Sequence, residues 1–130
     1  MDPTIHDALD HSQTVDITTN GRRSGEPRRI EIVLHNIGGR LIISGMPSPR
    51  TRAWIHNLEA DPRLVLHLKR GAHADLEGTA RVVTDPTERR ALLVDVAKAW
   101  NRTDVDRMVE ESPLIELSIP GYTAAAAPAA

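Results

Sequence analysis

Six short stretches of alternating apolar and polar residues, separated by turn sequences, most constrain the fold of this chain. They cover residues 15–19, 28–35, 40–44, 64–69, 74–83 and 114–119. Alternation with a period of two places apolar side chains on one face of a β-strand. The first stretch runs into Asn20-Gly21, and Gly38-Gly39 lies between the second and third, so both connections are expected to be hairpins. The pattern predicts a mainly β fold.

Helical patterns are fewer than strand patterns. Residues 51–60 place Trp54 and Leu58 on one face, and a shorter helix is expected over residues 104–111. Asp85-Pro86 is a strong helix start, because the carboxylate caps the first amides and proline fits the first turn. A parallel doubly wound sheet needs a helix between most strands, and that pattern is missing. We therefore predict about six mostly antiparallel strands closed into a small barrel, with two or three helices (β+α).

Length and composition limit what else the chain contains. With 130 residues it corresponds to about one domain, and with no cysteine it forms no disulfide and has no thiol nucleophile. We expect an N-terminal arm or helix over residues 1–14, a cofactor-binding barrel over 15–122 and a flexible Ala-rich tail over 123–130. No apolar run reaches the roughly 18 residues of a membrane span, although peripheral association stays open. A cytoplasmic location is expected.

Basic residues are concentrated in one part of a chain whose net charge is −2. Seven arginines lie between residues 22 and 52, and four of them surround a Gly-Ser-Gly turn. Guanidinium groups suit two-pronged recognition of phosphate or carboxylate. The isoelectric point of about 6.3 argues against nucleic acid as the anion, because nucleic-acid-binding domains usually have a broad basic face. The pattern indicates a small-molecule anion site.

Known catalytic motifs are missing from the sequence. There is no nucleophile elbow, P-loop or dinucleotide fingerprint, and the six histidines have no recognised metal-ligand spacing, so no metal is expected. His35 and His67 lie in predicted strands and are interpreted as surface or hydrogen-bonded residues. Paired carboxylates such as Glu110-Glu111 are interpreted as solvated.

The segment from Asn20 to Arg29 is the strongest candidate site. Its two glycines allow a tight turn whose amides can point at one anion, and Ser24 adds a hydroxyl donor. Arg23 and Arg28 can approach the anion from the two flanking strands. The alternative is a tight hairpin loop with solvated arginines.

Several segments in order resemble a known family. Residues 18–28 (TTNGRRSGEPR), a Gly-Gly hairpin and residues 54–62 (WIHNLEADP) are similar to the deazaflavin-dependent nitroreductase family of actinobacteria. That family uses coenzyme F420 and belongs to the split β-barrel superfamily, which includes flavin mononucleotide (FMN) enzymes such as pyridoxamine phosphate oxidase. The resemblance runs from about Val15 to Trp100 and implies a split barrel that binds F420, with FMN as the alternative.

The resemblance also implies which residues hold the coenzyme. The arginine-rich turn would hold its anionic phosphate and glutamates, the segment from residue 44 would lie along the phosphate and ring, and the helix start at residue 53 would pack beside them. The implied cofactor-binding residues are Arg22, Arg23, Ser24, Gly25, Arg28, Ser44, Gly45, Met46, Arg50, Arg52, Ala53 and Trp54. No catalytic side chain is implied, and His35, His56 and Tyr122 are the available proton donors.

The chain departs from the family in ways that bear on the substrate. A Ser-Lys-Gly-Gly stretch is replaced by Met46-Pro47-Ser48-Pro49, and the tyrosine-rich pocket segment by residues 101–111, which contain no tyrosine. The sequence therefore predicts an oxidoreductase that transfers hydride between F420 and an unidentified small, apolar substrate, and the departures argue against nitroreduction. The alternatives are an FMN-binding oxidoreductase and a non-catalytic module that binds cofactor or lipid. A homodimer is expected, because many split barrels are dimers.

Overall fold

The computed structural model describes residues 1–123, which form six strands and four helices. In chain order these are α1 (Pro3–Leu9), β1 (Gln13–Asn20), β2 (Pro27–Ile37), β3 (Arg40–Ser44), α2 (Ala53–Ala60), β4 (Arg63–Leu68), β5 (Ala74–Val82), α3 (Pro86–Ala99), α4 (Val105–Glu111) and β6 (Leu114–Ser118). The strands close into a barrel in the order β1-β2-β3-β6-β5-β4, and every neighbouring pair is antiparallel. The predicted barrel is confirmed, with one helix more than the largest number expected.

Apolar residues of the alternating patterns fill the inside of the barrel. Ile17 of β1 lies opposite Leu66 of β4, and Ile43 of β3 lies opposite Ile115 of β6. All four are fully buried, and each such side chain contributes about 1.5–3 kcal/mol through removal from water. Gly78 of β5 faces inward where an added Cβ would clash with the neighbouring strand. Glycine at this position therefore allows β5 and β6 to pack closely.

Helices α3 and α4 cover the outer face of the barrel beside β3 and β6. The Asp85 carboxylate accepts a hydrogen bond from the Glu88 amide at 2.9 Å, and Pro86 occupies the first turn, as predicted. Inward residues of both helices pack on the outward side chain of Ile42. This second apolar cluster consists of Ile42, Val83, Leu92, Leu93, Val96, Ala97, Met108 and Leu114.

Four charged side chains join the start of α3 to the barrel wall. Arg81 donates to both carboxylate oxygens of Glu88, at 2.9 and 2.7 Å, and Arg40 donates to Glu116 at 2.7 and 3.0 Å. Arg81 and then Arg40 lower the pKa of Glu88 to about 2. Solvent screens such part-exposed pairs, so the network orients α3 on the wall more than it stabilises the fold.

Helix α1 packs against the barrel. The Asp2 carboxylate accepts a hydrogen bond from the Thr4 amide at 2.7 Å, and Pro3 is the first helical residue. Leu9, at the end of the helix, is fully buried, and its carbonyl accepts a hydrogen bond from Asn36 Nδ2 at 2.9 Å. The N-terminal segment is therefore held by both apolar and polar contacts.

The predicted division of the chain into residues 1–14, 15–122 and 123–130 stays a prediction. Residues 124–130, which make up nearly all of the expected tail, lie outside the described part of the chain. Among residues 1–123, no helix is long and apolar enough to cross a membrane. The cytoplasmic location also stays a prediction.

The prediction that His35 is a surface or hydrogen-bonded residue is wrong. Its side chain is 3% exposed, and Nε2 has no hydrogen-bond partner among the described residues. Its ring centroid lies 5.1 Å from that of Trp100 at the end of α3, and burial lowers the pKa of His35. Because α3 covers the outer face of β2 here, both faces of the strand are shielded. Alternation reports the period of a strand but not what packs on its outer face.

Candidate functional site

Residues 21–26, which we call the arginine turn, connect β1 to β2. The Gly21 amide donates to the Glu26 carbonyl at 2.8 Å, and the Gly25 amide donates to the Gly21 carbonyl at 2.8 Å. Gly25 has a φ of 70°, a left-handed conformation that glycine adopts without a steric penalty. The predicted tight turn is confirmed.

Most backbone amides of the arginine turn donate hydrogen bonds to acceptors within the protein. This differs from the expectation that they point at one anion. Amides with a protein acceptor are those of Gly21, Arg22, Gly25 and Glu26. The Ser24 hydroxyl accepts the bond from Glu26, at 3.1 Å, so it also shapes the turn. Donors for a bound anion are therefore chiefly the guanidinium groups of Arg22, Arg23 and Arg28.

A groove of about 400 Å³, which we call the arginine groove, lies between the arginine turn and the start of α2. Its lining residues are Thr19, Gly21, Arg22, Arg23, Ser24, Arg28, Ile30, Ala53, Trp54 and Asn57. Trp54 is only 7% exposed and packs in the barrel core, so it is both a core residue and part of the groove wall. Trp54 and Ile30 are the large apolar residues of its lining, beside three arginines. This arrangement suits a ligand with an anionic part and a flat apolar part.

A second groove, of about 440 Å³, lies along residues 45–52, which we call the site loop. Arg50 and Arg52 line this loop groove, together with Glu59 of α2 and acidic residues at the end of α4. Its charge is therefore mixed. Arg52 immediately precedes Ala53 of the arginine groove, so the two grooves flank the first residue of α2. Eight of the twelve predicted residues line one groove or the other.

Four predicted residues line neither groove. Ser44 is 1% exposed, and its hydroxyl donates to the Pro113 carbonyl at 2.7 Å. Gly45 lies so close to the same proline that an added Cβ would be 3.0 Å from its Cγ. Met46 is 53% exposed, and Gly25 shapes the arginine turn. Of these four, only Met46 presents a large accessible side chain.

The three available proton donors lie outside both grooves. His56 is on the exposed side of α2, 3.1 Å from Glu59. Tyr122 donates to Asp10 at 2.7 Å, next to α1, and burial, followed by this hydrogen bond, raises the pKa of Tyr122. His35 lies under α3. The geometry therefore assigns none of these side chains to the candidate site.

Sequence reasoning missed two buried polar residues beside the arginine turn. Asn57 of α2 is 5% exposed and lies between the Thr19 hydroxyl and the Arg22 amide, with a hydrogen bond of 3.1 Å to each. A signal existed, because Asn57 follows Trp54 by three residues and so shares the buried face of α2. An amide on such a face implies a specific partner, since a buried polar group without one is costly.

The outer wall of β1, β4 and β5 contains a further hydrogen-bonded chain. His67 is 8% exposed and lies 2.6 Å from the Thr18 hydroxyl and 2.6 Å from the Asp75 carboxylate. The expectation that His67 is surface or hydrogen-bonded is confirmed. Thr18 also lines a groove of about 630 Å³ that the sequence did not predict. In the described part of the chain, no group of three or more His, Cys, Asp or Glu side chains could hold a metal ion.

Comparison with protein families gives one match, which covers most of the chain. The family model described as F420H(2)-dependent quinone reductase matches residues 3–115. The match includes the arginine turn, the site loop and the start of α2. It agrees with the resemblance drawn from the sequence motifs.

Solved structures of similar fold include one protein described as an F420 reductase and one described as belonging to the pyridoxinephosphate oxidase family. A conserved hypothetical protein of Mycobacterium tuberculosis superposes with a TM-score of 0.71 at 22% identity, over 92% of this chain and 81% of that chain. A protein described as an F420 reductase gives 0.64 at 15% identity, over 89% and 93%. A Clostridium acetobutylicum protein of the pyridoxinephosphate oxidase family gives 0.63 at 16% identity, over 88% and 80%. At these identities the likeness shows the split-barrel fold.

Proposed function

This chain belongs to the F420H(2)-dependent quinone reductase family, and from that membership we propose that it is an oxidoreductase that uses the deazaflavin coenzyme F420. Its substrate is a small, apolar acceptor of the quinone type. The observation that carries the proposal is the arginine groove, whose lining brings three arginines together with Ile30 and Trp54. The coenzyme has the matching parts, an anionic phosphate and glutamate tail and a flat ring.

The donor set of the arginine groove fits an anionic tail. Within residues 1–123, Arg22 and Arg23 form no ion pair, and Arg28 has only the exposed carboxylate of Glu26 at 3.9 Å. Most other arginines of the barrel wall are already paired with carboxylates, as Arg40 and Arg81 are. Unpaired guanidinium groups lose no existing partner when a phosphate or carboxylate binds, so the full attraction is available to the ligand.

The apolar side of the groove fits a ring. Trp54 and Ile30 supply the apolar part of its lining. The deazaflavin, when bound, supplies the hydride chemistry. In this proposal the chain holds the tail, orients the ring beside α2 and shields one side of it from water. No side chain is needed as a nucleophile, which agrees with the lack of a nucleophile motif.

A binding titration with a matched pair of variants tests the proposal. Arg28 and Arg29 are consecutive in β2, but Arg28 lines the arginine groove while Arg29 bonds to Asp16 on the outer wall at 3.0 Å. We expect Arg28→Ala to weaken F420 binding by about tenfold or more, since a hydrogen bond to a charged group contributes about 1.5–3 kcal/mol. Arg29→Ala should bind F420 like the wild type. Coenzyme fluorescence measures both dissociation constants.

Turnover and cofactor choice complete the test. Reduced F420 mixed with menadione and the protein should be oxidised faster than without the protein, as followed by the absorbance of the oxidised coenzyme. Tighter binding of FMN than of F420 would favour the flavin alternative, which the pyridoxinephosphate oxidase-type neighbour illustrates for the fold. Binding of F420 without turnover of any quinone would favour a non-catalytic module. The predicted homodimer stays a prediction that size-exclusion chromatography would test.

A further inference from the structure

One buried side chain joins the two halves of the arginine groove. Asn57 Nδ2 donates to Thr19 Oγ1 at 3.1 Å, and Asn57 Oδ1 accepts from the Arg22 backbone amide at 3.1 Å. Thr19 is 1% exposed and Asn57 is 5% exposed, so both bonds are shielded from water. The bridge connects β1, the arginine turn and α2, three segments that are distant along the chain.

The bridge is the contact that aligns the arginine turn with α2 at the groove. The backbone hydrogen bonds of Gly21 and Gly25 lie within the turn, and the β1–β2 ladder holds its two ends at Asn20 and Pro27, but neither set of bonds reaches α2. A second bond, from Asn20 Nδ2 to Asp61 at 3.1 Å, joins the end of β1 to the residue after α2. Among the hydrogen bonds of residues 1–123, the Asn57 bond alone joins a residue of the turn itself to the helix that carries Trp54.

We propose that Asn57 is a positioning residue that fixes the distance between the guanidinium groups and the apolar wall of the groove. The inference rests on the proposed function and deepens it. Because Trp54 and Asn57 share one face of α2, the bridge holds Arg22 and the ring-binding surface as one rigid unit. When the ring of a ligand is bound, its tail is held near the guanidinium groups at a high effective concentration. The site therefore selects a ligand whose ring and anionic tail are separated by the same distance as the two parts of the groove.

The test compares two ligands in two variants. The ligands are F420 and the riboflavin-type deazaflavin that lacks the phosphate and glutamates. In the wild type, the tail should improve affinity strongly. We measure this advantage as the dissociation constant of the tail-less deazaflavin divided by that of F420. In Asn57→Ala this ratio should fall by about tenfold, because loss of the bridge frees the arginine turn. The matched control is Asn36→Ala, since Asn36 also bridges separate segments, through Leu9 and Tyr122, but at the other end of β2.

Variants at Thr19 separate positioning from loss of folding. Thr19→Val keeps the shape but leaves the Asn57 amide without its acceptor, so the ratio should fall as in Asn57→Ala. Thr19→Ser keeps the hydroxyl and should restore the wild-type ratio. If Asn57→Ala or Thr19→Val weakens binding of both ligands equally, or if Asn36→Ala or Thr19→Ser lowers the ratio as much as Asn57→Ala, the inference is wrong.

A measurement without ligand distinguishes failure of this inference from failure of the proposed function. The Arg22 amide belongs to an exposed residue, yet it should exchange with solvent slowly because Asn57 accepts its hydrogen bond. Asn57→Ala should increase that exchange rate at least about tenfold, as read by NMR. An unprotected Arg22 amide in the wild type overturns the bridge whatever the protein binds. Lack of F420 binding by a wild type with a protected amide overturns the proposed function instead.

Discussion

Burial of His35 without a partner for Nε2 predicts a specific loss of stability in acid. The pKa of His35 is lowered by burial, from an ordinary value of 6.5. The unfolded chain therefore binds a proton first as the pH falls. Above about pH 6.5 the neutral side chain makes its full contribution to the free energy of unfolding. That contribution decreases as the pH falls from 6.5 toward the lowered pKa of the folded state.

The size of this loss follows from proton linkage. Proton binding by the unfolded chain, with the ordinary pKa of 6.5, sets the upper limit: it lowers the free energy of unfolding by about 0.1 kcal/mol at pH 7.5 and by at most about 1.4 kcal/mol at pH 5.5. His35→Leu removes this titration. At pH 7.5 it removes an unpaired nitrogen, which costs about 1–3 kcal/mol, and a ring contact with Trp100, which contributes about 0.5–1.5 kcal/mol. The stability of the variant should then lie between about 0.5 kcal/mol below and about 2.5 kcal/mol above that of the wild type.

Urea unfolding at the two pH values measures the difference. Between pH 7.5 and pH 5.5, the free energy of unfolding of His35→Leu should rise relative to that of the wild type, by up to about 1.3 kcal/mol. All other titrating groups are common to both proteins and cancel. His73→Gln, at an exposed histidine, should follow the wild type at both values. A difference between His35→Leu and the wild type that does not change with pH would contradict the burial of a neutral His35.

Three further substitutions test the fold and the groove. Gly78→Ala should destabilise the barrel by about 1–3 kcal/mol in urea unfolding, because the new Cβ would lie 2.5 Å from Ile119 Cδ1; an unchanged midpoint would contradict this packing. Asp85→Ala should lower the free energy of unfolding by about 1 kcal/mol, because the hydrogen bond to the Glu88 amide is lost. Asp85→Asn should retain most of that free energy, because its side-chain oxygen can accept the same bond. Trp54→Leu should weaken binding of the tail-less deazaflavin, measured by fluorescence, and equal affinity in both proteins would remove Trp54 from the proposed ring site.

The sequence identified the segments that form the candidate site, but not which side chains of those segments line a groove. Arginines in consecutive positions alternate between the two faces of β2, so Arg28 faces the groove and Arg29 faces Asp16. The predicted residues separate into two grooves, and Ser44 uses its hydroxyl to hold a neighbouring carbonyl. A motif identifies a segment near a ligand, but the direction of each side chain depends on what the segment packs against.

Local patterns determined the strands, the arginine turn and the start of α3, because each depends on residues within a few positions of one another. The alternation of β1, the Asn20-Gly21 pair and the cap at Asp85 all belong to this class. Tertiary structure alone decided that α3 buries His35 and that Asn57 bridges β1 and the arginine turn. Those contacts join residues far apart in the chain, and their energies depend on burial and alignment that exist only after the barrel has closed.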